Sequence, residues 1–208
     1  MEVMLAAARK EVVQNHLNLL QQAGVRCSSL SLEPVALANA WEISGVDSAE
    51  PVVLIHLGAR GTSLLFLAQK RLQFTRELPL RGEVFMRAVS ERLKIDASQA
   101  ERIKCEPGGR KPEVQAALQP AWEEWLTQCR ASLDFYENQF GRAATRIFLS
   151  GGSVRMEGWQ DWIGEATGLP VEFWNPLSAL QSTLDPQSLK SQAQILGVAV
   201  GLAVAELN

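Results

Sequence analysis

The first fifty residues switch between two periods of hydrophobic and polar positions. Residues 2–7 form a short apolar run that predicts a strand, and residues 10–22 carry apolar side chains at the spacing of a helix. Residues 25–32 alternate imperfectly and predict a second strand, after which Pro34 stands where it can open a second helix. The order strand, helix, strand, helix ends in a polar, turn-rich stretch at residues 44–51, where we place a domain boundary.

The pattern beyond this boundary predicts a sheet and the helices that cover it. Three apolar or alternating segments are joined by short turns, which implies antiparallel pairing of residues 52–55, 63–68 and 72–78. Further strands are predicted over residues 146–149 and 171–173, and helices over residues 83–93, 98–104, 113–140, 159–167 and 192–207. Strands with interposed helices give an α/β class, with a mixed sheet and flanking helices.

The long helix predicted over residues 113–140 contains a proline and five aromatic residues. Pro120 predicts a break or a kink, because proline lacks the N–H that an inner helical turn needs. The aromatic residues follow helical spacing and are expected to lie in the core: Trp122, Trp125, Phe135, Tyr136 and Phe140.

Composition and charge narrow the functional classes. The 208 residues are 47% hydrophobic and 21% charged, as in a protein that forms a core, and the net charge of −3 gives no global field for nucleic acid or anionic lipid. Cys27, Cys105 and Cys129 are too widely spaced for a zinc site or a disulfide framework, so no metal ligands are assigned. No targeting segment or membrane span is predicted, which favours a cytoplasmic protein.

Two glycine turns could hold a ligand, because each directly follows an apolar strand. In the first turn, residues 58–62, backbone N–H groups can converge on phosphate oxygens, while Thr62 adds a hydroxyl and Arg60 a cation. The second turn, residues 151–153, lies at the end of a strand, which is where open α/β sheets bind ligands. Taken singly, each is better explained as a plain turn in the chain.

A third candidate is Glu33, an acid at the end of a predicted strand and just before a helix. Its carboxylate could hold a magnesium-bound water or orient an attacking water. Taken singly, it is better explained as a helix-entry carboxylate that the helix dipole favours.

The order of these three motifs along the chain, together with further segments in the same register, changes their weight. The segments are residues 5–13, 33–40, 74–79, 132–136, 149–152, 168–171 and 175–177. In this order they resemble the actin-like ATPase superfamily, which includes actin, heat-shock chaperones, sugar kinases and FtsA, and above all its PilM family of type IV pilus assembly proteins. The resemblance covers nearly the whole chain and implies an actin-like, ribonuclease H-like fold.

The resemblance also implies a nucleotide site, with ATP and Mg²⁺ as its cofactors. The second phosphate loop would consist of Gly58, Ala59, Arg60, Gly61 and Thr62, and the adenosine loop of Gly151, Gly152 and Ser153. Glu33 would correspond to the catalytic acid at the start of the first connecting helix. Residues 192–207 resemble the second connecting helix.

Two departures from the family pattern indicate a degenerate nucleotide site. His56 stands where the family has an aspartate that helps to bind hydrated magnesium, and imidazole suits this hard ion poorly. The first subdomain, with its own phosphate loop, is expected to be absent. We therefore expect a truncated first domain, with residues 1–50 and the helix 192–207 as its remnant, and a second actin-like domain over residues 51–191.

The resemblance implies a scaffold on the cytoplasmic side of the inner membrane, which binds the N-terminal cytoplasmic tail of PilN and so joins the pilus platform proteins. Weak binding of ATP and Mg²⁺, and no hydrolysis, would follow from the degenerate site. Two alternatives stay open. One is an active actin-like ATPase or phosphotransferase, and the other is the actin-like cytoplasmic part of a type II secretion platform protein.

Overall fold

A computed structural model describes residues 5–46, 49–181 and 192–205. The chain forms two compact units, Met1–Leu32 and Glu33–Asn208. This division lies upstream of the boundary expected at residues 44–51, because the helix that begins at Glu33 packs within the larger unit. The assignment of residues 1–50 and 51–191 to two actin-like domains stays a prediction.

The described residues form seven α-helices and five strands. The helices are α1 (Lys10–Gln22), α2 (Glu33–Ile43), α3 (Gly82–Leu93), α4 (Ala97–Cys105), α5 (Lys111–Phe140), α6 (Trp159–Thr167) and α7 (Gly197–Val204). The strands are β1 (Val52–Leu57), β2 (Thr62–Ala68), β3 (Arg71–Leu78), β4 (Ile147–Ser150) and β5 (Val171–Phe173). Short 3₁₀ turns cover Gly108–Arg110, Gly152–Arg155 and Ala193–Ile195.

The described residues of the smaller unit form the predicted helix and no strand. The helix is α1, none of whose residues is buried. Residues 25–32 form no strand, so that prediction is wrong, and neither do residues 5–7 of the other predicted strand, whose first residues lie outside the described ones. A strand needs a neighbour to accept its backbone hydrogen bonds, and the described sheet uses only β1 to β5.

The larger unit is built on a mixed five-stranded sheet in the order β3-β2-β1-β4-β5. The consecutive strands β1, β2 and β3 are antiparallel, as their short connections predict. β4 pairs parallel with β1, and β5 pairs parallel with β4. The predicted α/β class with a mixed sheet and flanking helices is confirmed.

The two faces of the sheet carry separate apolar cores. Successive side chains of a strand point to opposite faces, so β1 sends Val53 and Ile55 to one core and Val52 and Leu54 to the other. The first core includes residues of α3, α5 and α6, and the second includes residues of α2 and α7. His56 shares the strand phase of Leu54, which places it on the α2 side.

α5 is one continuous helix of 30 residues that runs through Pro120. The predicted break does not occur. Pro120 is exposed, and so is Ala116, whose carbonyl loses its helical partner at the proline and can bind water instead.

The aromatic residues of α5 divide between the core and the surface. Trp122, Trp125 and Tyr136 are buried, as predicted, but Phe135 and Phe140 are 46% and 40% exposed. These two rings lie near the end of the helix and pack on Phe74 of β3, the edge strand, where no further element of the described ranges covers them. The prediction of a core position is therefore wrong for Phe135 and Phe140.

α7 packs so closely on α2 that only a glycine fits at the contact. A Cβ atom added at Gly201 would overlap the carbonyl group of Ala36. One turn earlier, a Cβ at Gly197 would lie 2.9 Å from the Trp174 ring and 3.0 Å from a methyl group of Leu37. Both glycines are buried, so the two helices meet through backbone rather than through side chains.

Gly201→Ala tests this contact. The new methyl group meets backbone, which cannot rotate away, so we expect the substitution to lower the free energy of unfolding by about 3 kcal/mol. Gly109→Ala is the matched control, because a Cβ at Gly109 meets no atom within 4 Å. Urea denaturation of both variants makes the comparison, and equal stability of the two would contradict the close packing.

Candidate functional site

A row of four polar side chains crosses the sheet on the α2 side. Ser150 of β4 pairs with His56 of β1, His56 pairs with Ser63 of β2, and Ser63 pairs with Glu77 of β3. Paired residues point to the same face of a sheet, so these four side chains are neighbours. We call them the polar row. It lies where β1 and β4 end, next to the loops that follow them.

The first glycine turn closes the β1–β2 hairpin at one side of the polar row. The Gly58 N–H donates to the Gly61 carbonyl at 2.9 Å, and the Gly58 carbonyl accepts from the Gly82 N–H at 3.0 Å. Ala59 and Arg60, at the tip, are exposed. The tip is therefore the part of this turn that can face a ligand.

Thr62 has a different place from the other residues of the turn. It is fully buried, and its hydroxyl donates to the Leu80 carbonyl at 2.7 Å and accepts from the Trp125 indole at 3.4 Å. Through these two hydrogen bonds, the hydroxyl connects the hairpin to Leu80 and to Trp125 of α5. Thr62 therefore stabilises the turn through its buried hydroxyl.

The second glycine turn lies directly against the first. Gly151 has a φ of 96°, and a Cβ atom there would overlap the carbonyl group of Leu57 at the end of β1. Ser153 is buried, and its hydroxyl occupies the space that a Cβ at Gly82 would need. Gly152 between them is half-buried. The two turns thus meet at the end of β1.

Glu33 completes the cluster of predicted residues. It is the exposed first residue of α2, and its Oε1 accepts a hydrogen bond from the Ser63 hydroxyl at 2.8 Å. The three predicted motifs, which are far apart in sequence, therefore come together around the polar row. Their role in nucleotide binding stays a prediction.

His56 is held as a neutral imidazole with a defined proton position. The Ser150 hydroxyl donates its one hydrogen to the Gln194 carbonyl at 3.1 Å, so it accepts from His56 Nδ1 at 3.1 Å. Nδ1 therefore carries the proton and Nε2 is the acceptor. Burial lowers the pKa of His56 below its usual range, and the nearby Glu33 carboxylate opposes this only in part.

Comparison with known protein families identifies the family of this chain. A family model described as type IV pilus assembly protein PilM matches residues 1–207. The chain belongs to the PilM family. Over 107 residues it is 29% identical to the cell division protein FtsA of Bacillus subtilis, a match that covers 51% of this chain and 24% of FtsA.

Solved structures agree with the family and the fold. A chain of the PilM–PilN type IV pilus biogenesis complex is 25% identical, with a TM-score of 0.87, over 97% of this chain and 59% of that one. MreB5 of Spiroplasma citri bound to AMPPNP is 12% identical, with a TM-score of 0.67, over 97% of this chain and 66% of MreB5. The actin-like fold is thus confirmed. The chain spans about a quarter of the FtsA relative and 59% of the PilM–PilN complex chain.

In this PilM-family chain, one residue of the polar row, His56, is a poor ligand for Mg²⁺. The ion prefers six oxygen ligands in octahedral geometry, whereas His56 offers a nitrogen. Within the described ranges, no group of three or more His, Cys, Asp or Glu side chains is placed to hold a metal ion. No helix in the same ranges is long and apolar enough to cross a bilayer.

Glu77 is a member of the site that sequence reasoning missed. The pKa of its carboxyl lies above the usual range. Burial is the main cause and the charge of Glu33 adds to it, whereas the hydrogen bond with the Ser63 hydroxyl opposes the shift. The signal was present in the alternation of β3, because the hairpin register sets Glu77 opposite Ser63. Ser150 and Gln194 carried no comparable signal, since only the fold brings them to His56.

His56→Asn tests the neutral imidazole. Asparagine keeps an N–H donor near the position of Nδ1 but does not titrate. The unfolded chain takes up a proton below the ordinary histidine pKa of about 6.5, and the folded chain resists it. We therefore expect the unfolding free energy of the unmodified chain to fall more steeply than that of His56→Asn between pH 7 and about pH 5.5.

Urea unfolding at the two pH values measures this difference. His16→Asn is the matched control, since His16 is the other histidine of the chain and is exposed. This control should follow the unmodified chain at both pH values. If His56→Asn also follows it, His56 does not resist protonation in the fold.

Proposed function

We propose that this chain is a scaffold of the type IV pilus inner-membrane platform and binds the cytoplasmic N-terminal tail of a PilN-like protein. The observation that carries the proposal is its likeness to a chain of the PilM–PilN complex. Family membership favours a pilus over a type II secretion platform. The scaffold would lie at the cytoplasmic face of the inner membrane, held there by its partners.

Residues 5–32 present an apolar surface on which a peptide tail could dock. Most of their large apolar side chains are exposed, and several of them far more than side chains elsewhere in the described chain. The exposed ones are Leu5 at 95%, Val12 at 62%, Leu19 at 63%, Val25 at 52%, Leu30 at 45% and Leu32 at 40%. Leu17, Gly24, Val25 and Cys27 also line a surface cavity of about 440 Å³. Such apolar surface is typical of an interaction site.

Val12→Asp tests this surface. A charge at the third residue of α1 should prevent burial of the apolar side chains against a tail, so we expect at least a tenfold loss of affinity, about 1.4 kcal/mol. Fluorescence anisotropy with a labelled PilN-tail peptide measures the binding.

Val84→Asp is the matched control for this substitution. Val84 is the third residue of α3 and is 37% exposed, so the same change is made in the same helical position within the other unit. The control should bind the tail like the unmodified chain. A tail that binds neither the unmodified chain nor the control would refute the scaffold proposal, and equal binding by Val12→Asp would exclude α1 as the docking surface.

The nucleotide site, in our proposal, is degenerate and contributes no hydrolysis. His56 stands where the resemblance to the family implies an aspartate, and its ring nitrogen suits Mg²⁺ poorly. A second candidate function, an active ATPase, has one observation in its favour. The two glycine turns and Glu33 converge at the end of β1, as they would around a nucleotide.

Calorimetry with ATP decides between these two functions. We expect no detectable heat of binding at millimolar ATP, with or without Mg²⁺, because a clamp without a suitable metal site leaves the phosphate charges uncompensated. His56→Asp restores a carboxylate and would show whether this one position limits binding. Micromolar, magnesium-dependent binding by the unmodified chain would overturn the degenerate site and favour the ATPase.

A further inference from the structure

Two carboxylates of the site have no positive partner. The ion pairs of the described residues use other acids, and neither Glu33 nor Glu77 takes part in one. Arg60, at the tip of the nearby hairpin, is exposed and forms no ion pair with either of them. Burial raises the pKa of the Glu77 carboxyl, and the nearby charge of Glu33 adds to this rise, while the Ser63 hydroxyl opposes it.

His56 adds an acceptor to these two acids. The residue is 6% exposed, and its Nδ1 proton is used by Ser150. Nε2 therefore presents a lone pair, and no protein donor among the described residues reaches it. This atom is on the Gly58 side of the ring, at the mouth of the hairpin, where a Cβ at Gly58 would lie 3.8 Å from it.

The chemistry of this corner favours one class of ligand over another. Two carboxylates and an unprotonated ring nitrogen accept hydrogen bonds and donate none. A phosphate group is also an acceptor with negative charge, so this corner repels it. A guanidinium or an ammonium group carries positive charge and only donors, so it complements these acceptors in both charge and hydrogen bonding.

We propose that Glu33, His56 Nε2 and Glu77 form a binding site for a guanidinium or ammonium group, such as the side chain of an arginine or lysine of a partner polypeptide. A cation would then bind where the nucleotide phosphates are expected in the actin-like fold. The proposed PilN surface uses other residues, 5–32, so either proposal can fail without the other.

NMR titration of the full chain with N-acetyl-arginine methylamide tests the proposal. The ¹⁵N resonance of His56 Nε2 should shift as it accepts a hydrogen bond, with millimolar affinity, while His16 serves as the internal reference. N-acetyl-citrulline methylamide is the matched control ligand, because its urea group has the same length and no charge. A response to citrulline equal to that of arginine, or no response of His56 to either, would overturn the proposal.

Two substitutions test whether the ligand binds at this site. Glu33→Gln and Glu77→Gln should each weaken arginine binding by about threefold to fivefold, since each removes one charge–charge contact. Glu91→Gln removes the same charge from an exposed position of α3 and should leave the affinity unchanged. An equal loss in Glu91→Gln would show that only the net charge of the protein matters, and would overturn the site.

A parallel titration with spermidine distinguishes the sources of the cation. Tighter binding of an arginine-containing peptide than of spermidine supports a polypeptide side chain. Tighter binding of spermidine supports the same site with a free polyamine as its ligand. ATP added at the same concentration should leave His56 Nε2 unshifted, and a shift equal to that of arginine would overturn the selectivity for cations.

Discussion

The contact between the α7 and α2 backbones at Gly201 and Ala36 fixes where α2 lies on the sheet. Because no side chain separates the two helices, α2 can pack on the core that contains Trp41 and Leu54. Its first residue then reaches the polar row, where Glu33 accepts from Ser63. The position of the acid in the site is thus set by a helix contact remote from it in the sequence.

The groups of the polar row determine one another's hydrogen bonds and charge. Gln194 takes the hydrogen of Ser150, Ser150 orients His56, and the buried ring stays neutral between an apolar core and two acids. In an active magnesium-dependent site, an oxygen ligand at position 56 would add negative charge for a metal to balance. The neutral imidazole adds no such charge.

Much of this architecture could be predicted from local pattern alone. The β1–β2–β3 meander follows from alternation and short turns, and the glycine turns were expected at the right positions because a turn has few chemical solutions. The misses depended on tertiary context. Residues 25–32 have the composition of a strand but no neighbour in the described sheet. Phe135 has helical core spacing but lies at a sheet edge, where it stays half exposed.

The candidate site shows the same division between local and distant information. Glu33 and the two glycine turns were found from residue type and order, whereas Glu77 required the register between two strands. The partnership of His56 with Ser150 and Gln194 joins positions 94 and 44 residues apart in successive steps, which no local pattern encodes.

In the part of the chain that the structure describes, β3 pairs with β2 alone, so its other side can offer backbone N–H and C=O groups to another extended chain. Arg71 and Arg76, both exposed, stand on this strand. A second copy of the protein that tried to extend the sheet here would bring like charges together and would have to strip them of water. The arginines of the edge strand therefore disfavour pairing of a second copy at this edge.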